Sequence, residues 1–513
     1  MSEARPAWRL LLLVLLLHAA FLVLPRDLWV QDEARYGEVV REMLQGGSLL
    51  VPHLDGHPYP DKPPTYFWLV ILLGQLVGHG EFAFRLLSSL ATMAATLGVW
   101  RWAARVGGEA VGIRAAVLFA TAFLTLVVGQ IVRMDMLLTA ATAWAWWGLW
   151  RHAAGEGGRL AFWLGTLAGV AVKGPIALLF TLLPAVLWRL RAGGLRGLLA
   201  LRPVSGTLAL AAMVGLWVGA VIASGEGEYL RRIWHEQLVG RAVDSWSHRE
   251  PFWFYAALLP LLALPWTGAA IRGARALARR PAGERWGLGL AVVAPLAGLS
   301  VISGKLFIYL EPLFPALMTL AALAPVGPGR PRPVESLPPA LLYGGLGAAL
   351  FWAIPRYLGG DAAWATAGAG VLLGVGIVGL WAARQPEGRW RRIWIGLAVA
   401  ASWALFGLVA RDLERAYSPR PLGETVAGLA GDGRPVGIVR STRGIFNYYA
   451  GRTFTELQRA EAGPWFRRRP GAVLIVQERD LGFVFPEPSR AGACTVDRIF
   501  EVEFKRYHVL AGC

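Results

Sequence analysis

LLLLVLLLHAAFLVLPRDLWVQDEARYGEVVREML, Leu10 to Leu44, sets an apolar run against a charged stretch with only Pro25-Arg26-Asp27 between them. The run reads as a membrane helix. Arg5 and Arg9 precede it and no small-x-small cleavage site follows, so the segment reads as an uncleaved first span rather than a leader. The Asp32-Glu33 pair then falls just outside hydrocarbon. Carboxylates are costly there and usually carry a partner or a task. Asp32, Glu33, Tyr36, Glu38, Arg41 and Glu42 recur at spacings of an amphipathic helix lying on the membrane surface. In that reading Glu38 and Glu42 face solvent, whereas Asp32 starts the helix close to the bilayer.

Outward from this stretch the chain is mostly membrane. Of its 513 residues 55% are hydrophobic and 17% charged, where a soluble protein would carry roughly 25% charge. That excludes a large soluble enzyme. Apolar runs of membrane length recur up to residue 410, about thirteen in all. With the N-terminus in the cytoplasm, the Arg clusters at 101–105, 151–159, 189–197, 272–285, 327–333 and 384–392 fall on the inner side, as the positive-inside rule requires. The net charge of +17 is therefore a topology signal, not a nucleic-acid surface. The run Thr65–Val77 is too short to span and would upset that parity. It reads as an interfacial helix within an external loop, residues 26–81. The outer face also receives the Arg133–Asp135 turn, Lys173-Gly174-Pro175, residues 224–252, Ser303–Lys305 and everything beyond 410.

The composition shifts after Ala410, dividing the chain into a membrane domain, 1–410, and a soluble extracytoplasmic one, 411–513. RPVGIVRST (434–442) reads as strand then turn, IFNYYAG (445–451) as helix, and AVLIVQER (472–479) as a buried strand. IFEVEFKRYHVLAG (499–512) alternates as a strand does. A small α/β domain fits, for support or substrate gating. Cys494 and Cys513 both lie in it, and a pairing between them is not implied.

The polar residues of interest collect on the outer face. His57-Pro58-Tyr59-Pro60-Asp61-Lys62-Pro63-Pro64 is stiffened by its prolines and can hold Asp61 and Lys62 in place. Lys62 suits a lipid phosphate, and Asp61 suits a metal or a neighbouring side chain. Arg133 can pair with Asp135 beside it or reach Asp32. Lys173, Lys305 and Tyr309 extend a basic pocket. Arg241 and His248 lie in the external segment WHEQLVGRAVDSWSHREPFWFY (234–255), where His248 suits a ligand or base. One carboxylate among several cations fits transfer from a phosphate leaving group better than hydrolysis between two flanking carboxylates.

These residues carry a resemblance. DEARYGEVVREML, LLVPHLDGHPYPDKPPTYFW, EFAFRLLSSL (81–90), VRMDMLLTA (132–140), AVKGPIAL (171–178), HREPFWFY (248–255) and SGKLFIYLEPLFPAL (303–317) resemble membrane glycosyltransferases of the GT-C fold. That superfamily includes the bacterial aminoarabinose (lipid A) transferases and the dolichyl-phosphate-mannose protein mannosyltransferases. The resemblance implies an all-α polytopic bacterial inner-membrane enzyme with a cytoplasmic N-terminus, acting as a monomer. It implies inverting transfer of a sugar from a polyprenyl-phosphate donor to an envelope acceptor, a glycolipid such as lipid A or a protein, at the periplasmic face. Asp32 would be the principal catalytic carboxylate and Asp135 the second acidic position. Lys62, Arg133, Lys173, Arg241, Lys305 and Tyr309 would hold lipid phosphate, with Glu33, Tyr36, Tyr59 and His248 in support. Asp61 stands where family members often carry Glu. The shorter side chain puts in doubt a divalent-metal site at Asp61 and His248, and whether a divalent metal is used stays open. The rival class, a lipid-linked-sugar transporter, should show internal repeats and midplane sites, which this sequence does not display.

Overall fold

The computed structural model describes residues 4–30, 32–233, 250–359, 361–431, 433–439, 443–485 and 496–511. Arg241, His248, Cys494 and Cys513 lie outside them.

The chain is a helical membrane protein with a small α/β extension. Helix α1 is Ala4–Ala20 and α2 is Asp32–Leu44, followed by the two-residue strands β1 (His53–Leu54) and β2 (His57–Pro58). Then come α3 (Thr65–Val77), α4 (Glu81–Gly107), α5 (Glu109–Ala120), α6 (Phe123–Val128), α7 (Asp135–Ala153) and α8 (Arg159–Lys173). Gly174, at φ 74°, breaks the path into α9 (Ala177–Phe180), α10 (Leu182–Leu199), α11 (Pro203–Ala223) and the short α12 (Gly227–Arg232). Further apolar helices follow, among them Pro333–Tyr357, Ala363–Ala382 and Glu387–Ser402. Among the described residues six helical stretches are long and apolar enough to cross a membrane, or seven with the pair Phe254–Leu262 and Thr267–Leu277, bent by 107°. Helix α3 has 13 residues, about 20 Å at 1.5 Å per residue, short of a bilayer's ~30 Å.

The C-terminal extension carries a five-stranded sheet in the order β4-β3-β5-β7-β6. Strand β3 (Val436–Val439) runs parallel to β4 (Thr455–Leu457) and β5 (Val473–Gln477). Strands β6 (Val496–Val502) and β7 (Lys505–Ala511) close it antiparallel. Both faces are covered, so β5 is an unbroken apolar run: Val473 and Ile475 join one core, Leu474 and Val476 the other. The alternating stretch read as one strand is two. Glu503 and Phe504, at φ 53° and 57°, make the two-residue hairpin turn between them. No glycine or asparagine marks that turn, which is why the pattern ran through it.

The soluble domain sits on α2. Tyr36 packs its ring on Tyr66 and Phe67 of α3, 5.3 and 5.6 Å between centroids. On the opposite flank a Cβ at Gly37 would come within 2.9 Å of the Tyr448 ring, so glycine permits the close approach. The dock is polar at its edges. Asp55 accepts hydrogen bonds from Asn447 Nδ2 (2.9 Å) and Phe454 N (2.6 Å), Leu28 N donates to the Tyr449 hydroxyl at 2.8 Å, and Arg420 reaches Asp27 and Glu81. This overturns the solvent-facing reading of Glu38. Its side chain is fully buried and paired with Arg41 at 2.6 Å, because the C-terminal extension packs on this part of α2, where Arg41 donates to the Gly451 carbonyl.

Candidate active site

Three helix ends meet beneath this dock. Asp32 opens α2, Asp135 opens α7 and Lys173 closes α8. Each charge has the sign that its helix end favours, carboxylates at N-termini and an amine at a C-terminus. Arg133, from the turn before α7, joins the two acids: Nη1 lies 2.5 Å from Asp32 Oδ2 and Nε 3.4 Å from Asp135 Oδ2. Lys173 pairs with the other oxygen of Asp135 and stands 4.7 Å above the Tyr309 ring. Arg35, one turn along α2, reaches Asp32 Oδ1 at 3.5 Å. The result is a continuous line of alternating charge, Asp32–Arg133–Asp135–Lys173.

The two acids are not equivalent. The Asp135 side chain is 2% exposed and both its oxygens are engaged, whereas that of Asp32 is 20% exposed. Asp32 is the carboxylate a substrate can touch. Burial works against its charge, but Arg133, then Lys62 and Arg35, outweigh burial and hold it below the usual carboxylate range. Depressed in the fold, its pKa contributes stability above the unfolded value, lost as pH falls through the folded one. The same shift keeps the carboxylate ionised at neutral pH. The acid limb of kcat/KM arising from Asp32 should therefore lie below the usual carboxylate range. In Arg133→Gln it should move upward, because burial is then less opposed; an unmoved limb would remove Arg133 as the controlling charge. Tyr36 and Tyr59 are both pushed up by burial first and by Asp32 or Asp61 nearby, so both are neutral phenols and neither is a base.

Glu33 holds the frame. Its carboxylate takes two hydrogen bonds from Arg26 (2.9 and 3.1 Å), one from Trp29 N (3.0 Å) and one from Val132 N (2.8 Å). It thereby ties the start of α2 to the turn that carries Arg133. Lys62 is within electrostatic reach of both Asp32 and Asp135. Lys305 is buried and donates to the Glu250 carbonyl at 2.9 Å, and Tyr309 lies under Lys173. Asp61 instead lines a cleft of about 250 Å³ with Tyr59, Arg35, Arg232 and Arg443. Among the described residues no group of three or more His, Cys, Asp or Glu is placed to hold a metal.

Sequence reading missed three of these cleft residues. Arg35 was accessible to it, three positions after Asp32. Arg232 and Arg443 were not, since only the tertiary fold brings these two residues to Arg35 of α2. As a whole the site has one ionised, reachable carboxylate beside several cations. That can orient or deprotonate a nucleophile while neutralising a phosphate that leaves.

Residues 61–218 match the family described as dolichyl-phosphate-mannose-protein mannosyltransferase. An undecaprenyl phosphate-alpha-4-amino-4-deoxy-L-arabinose arabinosyl transferase of Sodalis glossinidius is 32% identical over 405 residues, covering 75% of this chain and 68% of that protein. The enzyme of the same description from Edwardsiella ictaluri is 33% identical over 310 residues, 58% of this chain; the match spans 55% of that relative's length. The crystal structure of ArnT from Cupriavidus metallidurans in the apo state superposes with a TM-score of 0.77 at 18% identity, covering 100% of this chain and 99% of that one. The form bound to undecaprenyl phosphate gives 0.75 at 19% identity, covering 100% and 98%. At these identities the superpositions speak to the fold.

Proposed function

Because the chain belongs to the undecaprenyl phosphate-alpha-4-amino-4-deoxy-L-arabinose arabinosyl transferase family, we propose that it transfers a sugar from a polyprenyl-phosphate donor to an envelope glycolipid such as lipid A. The observation that carries this reading is the convergence of Asp32 with Arg133, Asp135 and Lys173 at three helix ends. The acceptor oxygen bonds to the anomeric carbon from the face opposite the phosphate, so configuration inverts. The bond from that carbon to the phosphate oxygen breaks, and the lipid phosphate leaves with the electron pair. Asp32 takes the acceptor proton or orients its O–H. Lys62, Arg133 and Lys173 neutralise the leaving phosphate, with Lys305, Tyr309 and Arg241 as further contacts. Asp135 acts through Arg133 and Lys173, fixing both cations toward the donor. Glu33 holds the frame, and Tyr36 and Tyr59 line it.

The reading includes a topology. About thirteen spans cross the bacterial inner membrane, residues 1–410 form the membrane domain, and 411–513 a periplasmic one. The segregation of the Arg clusters supports a cytoplasmic N-terminus.

The test is a transfer assay with purified protein. Undecaprenyl-phosphate aminoarabinose and polyprenyl-phosphate mannose are each supplied with lipid A or with envelope protein, and products are identified by mass spectrometry. Sugar on lipid A, with release of undecaprenyl phosphate, is expected. Mannose on protein alone would replace the proposal with protein mannosylation, and no product from any pair would remove it.

A further inference from the structure

We propose that the soluble domain supplies part of the acceptor site. Arg443, together with Arg35 and Arg232, forms a subsite for a phosphate-bearing sugar of the acceptor. The proposal rests on the sugar-transfer reading above and names what the neighbouring cleft holds.

The three arginines arrive from separate parts of the chain: Arg35 from α2, Arg232 from the end of α12, and Arg443 from the segment after β3. They line one cleft of about 250 Å³, in which Asp61 is the sole acid among the described residues. The cleft is therefore net positive. Guanidinium forks match phosphate oxygens two at a time, better than any other cation. The volume is below the ~300 Å³ floor for drug-sized ligands, so the cleft suits a headgroup, not a whole lipid.

The cleft is also unfinished without a ligand. Arg35 Nε is buried and lacks a hydrogen-bond partner, while the Arg35 side chain and the Tyr59 hydroxyl are themselves hydrogen-bonded. Buried polar groups are seldom left so, and an anion in the cleft would give the Arg35 donor its acceptor. Arg443 is already positioned. Its Nε pairs with Glu456 Oε2 on the adjacent strand β4 at 2.5 Å, which leaves its terminal nitrogens for the cleft. The carboxyl ends of parallel strands are where α/β sheets place ligands, and Arg443 emerges from that end of β3.

Arg35 is the link to chemistry, since it also lies 3.5 Å from Asp32. A phosphorylated sugar seated on the arginines would put its nucleophilic oxygen next to the carboxylate. The donor's phosphate is assigned to Lys62, Arg133 and Lys173, deeper toward the membrane helices, so the arginine cleft falls to the acceptor.

The experiment uses the full chain in detergent and three probes: a bis-phosphorylated glucosamine disaccharide, the same disaccharide without phosphate, and undecaprenyl phosphate. Arg443→Gln and Arg232→Gln should each weaken binding of the phosphorylated disaccharide about tenfold, the loss of one charged hydrogen bond. Undecaprenyl phosphate should bind as before, and Arg443→Lys should recover part of the loss. In turnover the effect should fall on the acceptor KM, with kcat within about twofold. Because the Arg443–Glu456 pair is half exposed, its loss should cost little stability. Unchanged disaccharide binding, or loss of undecaprenyl phosphate binding in its place, would overturn the assignment. Equal binding of the phosphate-free disaccharide by the native protein would overturn it too. If no sugar is transferred yet the arginine variants still lose the phosphorylated disaccharide, the subsite stands and the sugar-transfer reading fails.

Discussion

Asp32→Asn should remove turnover by about 10³-fold while leaving the protein folded, the size of loss seen when a positioned general base is taken away. The substitution keeps shape and one oxygen, so the start of α2 is not disturbed sterically. Arg133 still has Asp135 at 3.4 Å. What disappears is the partly exposed negative charge that Arg133 holds ionised where the three helix ends meet. Asp135 cannot replace it, being buried with both oxygens committed to Arg133 and Lys173. The measurement is single-turnover release of undecaprenyl phosphate beside the melting temperature of the same preparation. A variant retaining more than about a tenth of the native rate would mean that the acceptor needs no carboxylate at Asp32. The chemistry would then rest on cations alone. A variant that loses activity and also melts early would point to Asp32 as structural support.

How much of this was legible in the sequence follows from where each contact lies. Asp32, Arg133, Asp135 and Lys173 stood out because acids and bases beside apolar runs are rare, and the short breaks that carry them are visible in one dimension. Their mutual distances were not, yet helices that end at the same membrane face can bring such residues together. Glu38 was misread because its spacing describes a surface helix, and no pattern within α2 announces that a segment some four hundred residues away, with Tyr448 against Gly37, will pack on this helix. Arg232 and Arg443 were invisible because nothing local marks the end of α12, or Arg443 in the C-terminal extension, as reaching the cleft beside Arg35. The soluble domain's buried strands were plain from their apolar runs, whereas the β6–β7 hairpin was hidden by a turn made from Glu503 and Phe504. Glu33 was read as support for Asp32, and its actual partners, Arg26, Trp29 and Val132, lie on two segments that only the fold brings together.

Those partners make Glu33 the position where a single change should cost the most stability. Its carboxylate is buried and accepts four hydrogen bonds, two from the Arg26 guanidinium and two from backbone amides. Glu33→Ala would leave Arg26, itself largely buried, without its counter-charge, and would orphan the Trp29 and Val132 amides. Breaking a buried pair by removing one partner costs about 3–5 kcal/mol, because a charge is left uncompensated. Orphaned buried amides would add about 1–3 kcal/mol each unless water enters. Glu33→Gln should be milder, since an amide oxygen can still accept from Val132 or Trp29 although the charge is gone. The loss is also functional. The Val132 amide fixes the turn that presents Arg133, so in any folded Glu33→Ala protein Arg133 should no longer bridge Asp32 and Asp135. The acid limb of the rate profile should then rise, as in Arg133→Gln. Thermal unfolding in detergent, scored with and without undecaprenyl phosphate, checks the first half of this, and the pH profile of the surviving fraction checks the second. Stability within about 1 kcal/mol of native, the cost of an ordinary surface ion pair, would show that the Glu33 bonds are replaced by water and do not hold the frame.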